Sequence, residues 1–261
     1  MLPPLSPRPD DAPRVALVGA GPGDPELLTL AALRALEAAD VVLHDRLVPA
    51  AILALAPRAR LVAVGKEGFG PAMPQAGINR LLVDHARSGA QVVRLKGGDP
   101  AIFGRLEDEA AALEAAGIAF RVIPGITAAS AAAAALGRGL TQRGRNAGLR
   151  IVTGHDMRGF ADQDWRGLAA PGAVAAIYMG KRAARFLQGQ LLMHGAAPAT
   201  PVTLVENASL PGQRILPATL ADLPKAAADT TGPVLLLLGI APRGAAALLP
   251  DTLSDLLEAH P

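Results

Sequence analysis

Three times in its first half the chain runs from a short aliphatic stretch straight into a glycine-rich turn and then into a helix-forming segment. The stretches are RVALVG followed by AGPGDP (residues 14–25), RLKGGDPAIFG (94–104), and FRVI followed by PGIT (120–127). Glycine at the end of a strand lets backbone approach a ligand closely, and in an open α/β sheet ligands sit at the carboxyl edge of the strands. A lone GGDP turn is equally well explained as a tight strand-to-helix connection. Its recurrence in three units favours a ligand edge. Strands alternating with helices at this spacing predict a mainly parallel sheet.

Further strands are predicted at residues 41–43 and 61–65, and helices at about 75–87, 106–116 and 128–135. Asp24 is placed to cap a helix whose first turn holds Pro25, with Leu27, Leu28, Ala31 and Ala35 turned inward. Residues 137–148, with four glycines and three arginines and little to bury, read as the link between domains. The pattern then restarts, with strands at 149–153, 173–179, 200–205, 213–217 and 233–238 and helices at about 181–194 and after Thr219. Pro201 suits an edge strand. The organisation expected is a disordered leader (1–13), an α/β domain (14–136), the link (137–148), a second α/β domain (149–245), and a helix or tail (246–261).

Composition excludes several classes. Only 3% of residues are aromatic and the net charge is +2, which argues against stacking on nucleic-acid bases. There is no cysteine, so neither a disulfide framework nor a thiolate metal site can form. The proline-rich start lacks an apolar signal core, and no apolar run reaches the roughly 18 residues of a spanning helix. A cytoplasmic protein that works without nucleic acid or membrane is the expectation.

Standard catalysts are sparse. There is no serine elbow, no Walker lysine and no His-x-x-x-His, and the five histidines are scattered, so no metal site is expected. The first glycine turn departs from the dinucleotide fingerprint at Pro22 and Gly23. Asp45 and Lys66 are the candidates for proton transfer, because each stands just past a predicted strand of the same half. Against this, a strand-end aspartate is often a turn residue and a lone lysine usually faces solvent.

Taken together, VGAGPGDPELLTLAALRAL, the HD of VVLHDRLV, VGKEGFGPAMPQAGINRLL, VVRLKGGDPAIFGR, IPGITAASAAAAALG, VTGH, YMG and the ENAS segment resemble, in the same order, the uroporphyrinogen-III C-methyltransferases of the tetrapyrrole methylase family. The resemblance spans residues 15–240. It implies a two-domain α/β fold with a mainly parallel N-terminal sheet, a mixed C-terminal sheet, an active cleft between the domains, and a homodimer. It implies S-adenosylmethionine as methyl donor and uroporphyrinogen III as acceptor, methylated at C2 and C7 through precorrin-1 to precorrin-2. Carried over by position, the donor would meet Pro22, Gly97, Gly98, Asp99, Ile102, Thr127, Ala128, Met179 and Ala208. Asp45 would be the proton acceptor and Lys66 the proton donor, with Arg105, Glu109 and Arg143 bordering the tetrapyrrole.

This chain departs from the family pattern at His44 (usually Tyr), Glu67 (usually Arg), Leu106-Glu107 (usually a glycine pair) and Gln142 (usually His). The donor positions are unaffected; the departures bear on substrate fit and rate. No dehydrogenase-ferrochelatase module accompanies the motifs, which points away from the fused sirohaem synthase arrangement. Two other readings stay open. One is a methyltransferase acting on a later precorrin, with the same donor site and a different acceptor pocket. The other is a non-catalytic tetrapyrrole-binding protein.

Overall fold

A computed structural model describes residues 13–65, 73–156 and 159–243. The tail at 246–261, Lys66 and Glu67, and all but the last residue of the leader lie outside the described residues. The chain divides into two compact units, Met1–Thr127 and Ala128–Pro261.

The first unit contains β1 (Val15–Gly19), a 3-10 turn (Pro25–Leu27), α1 (Leu30–Glu37), β2 (Val41–His44), α2 (Ala50–Leu53), β3 (Arg60–Ala63), α3 (Gln75–Arg87), β4 (Val92–Lys96), α4 (Leu106–Ala115) and β5 (Phe120–Ile123). Its five strands pair in the order β3-β2-β4-β1-β5, every pair parallel. Both faces are covered, which is why β1 and β4 are buried along their whole length. Alternation sends Ala16, Val18, Val42, Val93 and Leu95 against Ala32, Leu36 and Ile52 on one face. Leu17, Leu43 and Val92 pack against Ile78, Leu82 and Leu113 on the other. Because all strands run the same way, the turns after β1, β2, β4 and β5 gather at one carboxyl edge.

The first helix starts later than its sequence predicts. Asp24 does cap, accepting from the Glu26 N–H at 2.9 Å, but only the short 3-10 turn follows before Leu28 becomes extended. The α-helix begins after Thr29, whose hydroxyl oxygen accepts from the Ala32 N–H at 3.1 Å. That restart rotates the buried face to Ala32, Ala35 and Leu36 and leaves Ala31 exposed.

The second unit runs α5 (Ala128–Ala135), β6 (Arg150–Thr153), β7 (His155–Asp156), β8 (Gly159–Phe160), α6 (Trp165–Ala169), β9 (Ala175–Tyr178), α7 (Ala184–Met193), β10 (Pro201–Glu206), β11 (Arg214–Thr219), α8 (Leu223–Ala228) and β12 (Val234–Leu238). Its main sheet has the order β11-β10-β12-β9-β6 and is mixed: β6 and β9 are parallel and the other pairs antiparallel. Pro201 is therefore not on an edge strand. It is tolerated because it is the first residue of inner strand β10.

The domain boundary also moves. Helix α5, assigned by sequence to the first domain, belongs to the second, where Ala129, Ala132 and Leu136 pack on Val174, Ala176, Val205, Leu235 and Leu237. Residues 137–148 are a bonded turn inside that unit. The Asn146 amide donates to the carbonyls of Leu140 and Gly148 at 3.0 and 2.7 Å, and Arg145 donates to that of Gly139 at 2.8 Å. Low burial potential had marked the segment as a link, but side-chain capping of its own carbonyls holds it. No described helix is long and apolar enough to cross a membrane.

Since Thr29, and not Asp24, caps α1, Thr29→Ala should cost about 1 kcal/mol of stability, read by urea unfolding. A loss no larger than that of Asp24→Ala would count against this assignment.

Candidate active site

At the carboxyl edge of the first sheet, three turns meet through backbone. A Cβ on Gly19 would lie 2.6 Å from both the Gly125 nitrogen and the Gly98 oxygen, and one on Gly125 would lie 2.2 Å from the Gly98 oxygen. Gly21 and Gly98 exchange backbone bonds, Gly98 N–H to Gly21 oxygen at 2.7 Å and Gly21 N–H to Gly98 oxygen at 3.2 Å. Asp99 clamps the assembly. One carboxylate oxygen accepts from Gly125 N–H at 2.9 Å, the other from Ala101 N–H at 2.8 Å. Gly98 is the opposite case from Gly19 and Gly125. Its φ is +70°, and a Cβ there would meet nothing within 4 Å, so the turn is open on that side.

Beneath this edge lies a charged layer. Strand alternation turns Arg94 and Lys96 to the face covered by α3 and α4, above the apolar layer of Val92. Arg94 Nε donates to Glu109 Oε1 at 2.8 Å and Lys96 Nζ to Glu109 Oε2 at 2.7 Å. Arg94 Nη2 reaches Asp45 Oδ1 at 2.5 Å, and Nη1 donates to the Leu95 carbonyl at 3.1 Å. Burial lowers the Lys96 pKa, and the neighbouring Arg94 charge adds to this, while Glu109 opposes both.

The Asp45 side chain is 36% exposed, at the outer end of this layer. Its sequence neighbour His44 directs Nδ1 to the Asp45 main-chain oxygen at 3.2 Å, not to the carboxylate. Glu109, which the resemblance put beside the substrate, is fully buried, and among the described residues its carboxylate accepts from Arg94, Lys96 and, at 3.5 Å, Gln75, so it acts on the site through side chains it holds. Arg105 is exposed and bonded to Asp108 at 2.8 Å, and Arg143 is exposed on its turn. Lys66 lies outside the described residues.

Two of the substituted positions, Leu106 and Glu107, have local explanations. Leu106 opens α4 and packs against the core on that face, and Glu107 adds an acidic group to the helix's first turn, where the macrodipole favours it. At Gln142 only the main-chain N–H is bonded, to Asn146 Oδ1 at 3.2 Å, and the structure gives no reason for the side-chain substitution there.

Among the described residues, the non-glycine residues at positive φ are Phe103, Arg105, Met179, Asn207 and Ser209. All fall in segments singled out from the sequence: Phe103 next to Ile102, Arg105 and Met179 themselves, and Asn207 and Ser209 on either side of Ala208. Backbone strain of this kind collects at functional sites. Pro22, Gly97, Gly98, Asp99 and Ile102 thus share the first unit's edge with Thr127 at the end of the PGIT turn. In the second unit, the Ala129 N–H next to Ala128 donates to the Tyr178 hydroxyl at 3.1 Å, which brings the start of α5 to Met179. Met179 is 51% exposed, and its carbonyl meets His155 Nδ1 at 3.1 Å.

Glu206 anchors the strained segment around Ala208. It is buried, and Oε1 accepts from the Thr231 and Gly232 N–H groups at 2.5 Å each while Oε2 accepts from Arg214 at 2.9 Å. Sequence reading passed over Arg94, Tyr178 and Glu206. The signal for Arg94 was there, since Arg and Lys at alternate positions of a buried strand demand a buried acid.

Two α/β units, one with an all-parallel sheet and a glycine-lined carboxyl edge, the other with a mixed sheet and a strained loop at Ala208, define a two-domain α/β protein equipped to hold a small ligand. The chain belongs to the Tetrapyrrole (Corrin/Porphyrin) Methylases, whose family model matches residues 14–224. It is 49% identical over 226 residues to siroheme synthase 3 of Aeromonas hydrophila, covering 86% of this chain and 48% of that protein. To siroheme synthase of Edwardsiella ictaluri it is 48% identical over 236 residues, covering 90% and 51%. The chain thus spans about half the length of the curated relatives it matches. Among solved structures it resembles uroporphyrin-III C-methyl transferase from Thermus thermophilus complexed with S-adenyl homocysteine. The TM-score is 0.76 at 42% identity, covering 87% of this chain and 97% of that one. Cobalt precorrin-4 methyltransferase matches with TM-score 0.77 at 27% identity, covering 87% and 95%.

Hydrogen bonding to the Gly232 N–H, more than any other contact, lowers the Glu206 pKa below its ordinary value of 4.5. A lowered carboxylate pKa adds stability that is present above the unfolded value and lost as pH falls through the folded one. Glu206→Gln should therefore be less stable than wild type at neutral pH and lose stability less steeply below 4.5, measured as urea midpoints along a pH series. Parallel pH profiles would remove the ionised carboxylate from the account.

Proposed function

We propose that this chain transfers methyl groups from S-adenosylmethionine to C2 and C7 of uroporphyrinogen III, giving precorrin-2 by way of precorrin-1. The observation that carries this is the 42% identity, over 97% of its length, to a uroporphyrin-III methyltransferase structure holding S-adenyl homocysteine. The precorrin-4 enzyme has the same fold at 27% identity, which ranks a later-precorrin acceptor second. A homodimer and a cytoplasmic setting accompany the proposal.

The residues present suit such a donor. In the first unit the turn at Gly98 is open where a side chain would stand; in the second, taken by itself, Met179 is exposed and Asn207 and Ser209 flank Ala208 at positive φ. By the family resemblance, the donor positions are Pro22, Gly97, Gly98, Asp99, Ile102, Thr127, Ala128, Met179 and Ala208. Bound there, S-adenosylmethionine supplies a methyl group on a sulfonium, which needs no metal and no covalent nucleophile for its release.

The acceptor carbon of the pyrrole is enamine-like. It forms the new C–C bond while the C–S electron pair returns to sulfur, so the ring acquires positive charge and must shed a proton. What the protein contributes is alignment and management of that proton. Asp45 takes or relays it, and Lys66 steadies the anionic substrate or donates a proton where electron density builds. The substrate's carboxylates call for guanidinium forks. Arg105 and Arg143, both exposed, are available for that.

Anaerobic incubation with uroporphyrinogen III and excess donor, followed by mass spectrometry, should show two added methyl groups, with the singly methylated species as an intermediate. Arrest at one methyl, or turnover only with a later precorrin, would overturn the assignment. Tetrapyrrole binding without transfer would favour a non-catalytic protein.

Asp45→Asn should cut single-turnover rate by at least about ten-fold, within the roughly 10²–10⁴-fold scale of general acid–base catalysis. Donor affinity should hold. His44→Phe should keep most activity, because the imidazole is turned to a main-chain carbonyl. The reverse pattern would make His44 the base.

A further inference from the structure

The buried charges under the edge are costly to maintain. Arg94 is 3% exposed, Lys96 2% and Glu109 0%. Apolar residues of similar volume fill such space at no electrostatic cost, so a buried ion network is weak evidence for a stabilising role. Its layout has a direction, however. The Arg94 guanidinium is fixed from three elements: by Glu109 of α4 through Nε, by its own strand's Leu95 carbonyl, and by the Leu43 carbonyl of β2 at 3.4 Å. Lys96 holds the other oxygen of Glu109 and so fixes the anchor itself.

The one arm of the guanidinium directed at a partly exposed group is Nη2, on Asp45 Oδ1. Asp45 is further located by its own N–H, which donates to the Leu95 carbonyl at 3.2 Å. Among the described residues, no other side chain bonds the Asp45 carboxylate. Within the described residues, one oxygen is held by a side chain and the other by none, on a side chain 36% exposed.

We propose that Arg94, anchored by Glu109 and Lys96, is a positioning residue that orients the Asp45 carboxylate for proton transfer during methylation. It rests on the function proposed above. Asp45 follows a β2 strand of only four residues, and its side chain would otherwise sample several rotamers. A general base must stand within hydrogen-bond reach of the proton it accepts, and misplacement by about 1 Å can cost on the order of 10²-fold in rate. Lysine in place of arginine keeps the charge opposite Glu109 but has no fork to span Glu109 and Asp45 together.

The test is Arg94→Lys alone and combined with Asp45→Asn, with kcat and KM for uroporphyrinogen III, donor affinity by calorimetry and thermal midpoint measured on each. The expected result is a kcat loss of about ten-fold or more with KM and donor affinity within about two-fold of wild type. The double variant should be no slower than Asp45→Asn, since a positioning residue has nothing left to position. Wild-type kcat in Arg94→Lys, or losses that multiply in the double variant, would overturn the proposal. If Arg94→Lys does not fold, Glu109→Gln, which keeps an acceptor for Nε but removes the anchoring charge, should show the same kcat-selective loss, and retained kcat overturns the claim.

Should wild type not methylate uroporphyrinogen III at all, the proposed function falls, and crystal structures of wild type and Arg94→Lys decide the positioning claim separately. A displaced or multiply placed Asp45 carboxylate in the variant supports it. An unmoved one ends it.

Discussion

Everything at the working edge of the first unit depends on backbone meeting backbone at Gly19, Gly98 and Gly125. A single methyl group on Gly125 would overlap the Gly98 carbonyl, so the turns after β1, β4 and β5 can converge only because no side chains intervene. Asp99 then converts proximity into a fixed geometry by bonding N–H groups of two turns with one carboxylate. The aspartate of GGDP is thus occupied by the protein itself, whatever else it meets. The turn is most open at Gly98, where a Cβ would meet nothing within 4 Å, whereas one on Gly97 would touch the Leu47 side chain at 3.7 Å.

The second constraint is electrostatic and runs below the first. A parallel sheet covered on both faces has no room for unpaired charge, yet β4 sends Arg94 and Lys96 inward at its carboxyl end. Glu109, one helix away, balances both, and Asp45 completes a chain of alternating sign that ends at the partly exposed site. Placing the ions in the last turn of the strand keeps the deeper layer of Leu17, Leu43 and Val92 dry and apolar. The two layers divide the labour, with packing below and orientation above.

In the second unit the same problem has a different solution. Met179, Asn207 and Ser209 adopt left-handed backbone without being glycine, and the structure over-determines them. Tyr178 ties the strand before Met179 to the start of α5, and Glu206 gathers Arg214, Thr231 and Gly232 around the strand before Asn207. Rigid anchors one residue away from strained positions hold the loops in place.

Element identity was legible from sequence because it depends on local pattern. The parallel sheet of the first half, helix α3 over Gln75–Arg87, and the mixed second sheet follow from strand-turn-helix spacing and family motifs. Errors arose where a neighbour in space overrode a local cue. Asp24-Pro25 is a sound helix start locally, but extended Leu28 hands the cap to Thr29. Helix α5 carries almost nothing but alanine, so nothing in its own sequence says which sheet it will cover; only packing on Val174, Val205 and Leu237 assigns it to the second unit. Glu109 looked like a site residue because it stands in a site motif, and only the fold shows its carboxylate spent on Arg94 and Lys96. Sequence alone determined which residues stand in the turns that follow strands, since the order of strand, glycine turn and helix is a local pattern. Which of them face outward and which hold the others in place was decided by tertiary structure, because burial and charge pairing exist only once distant strands and helices are adjacent.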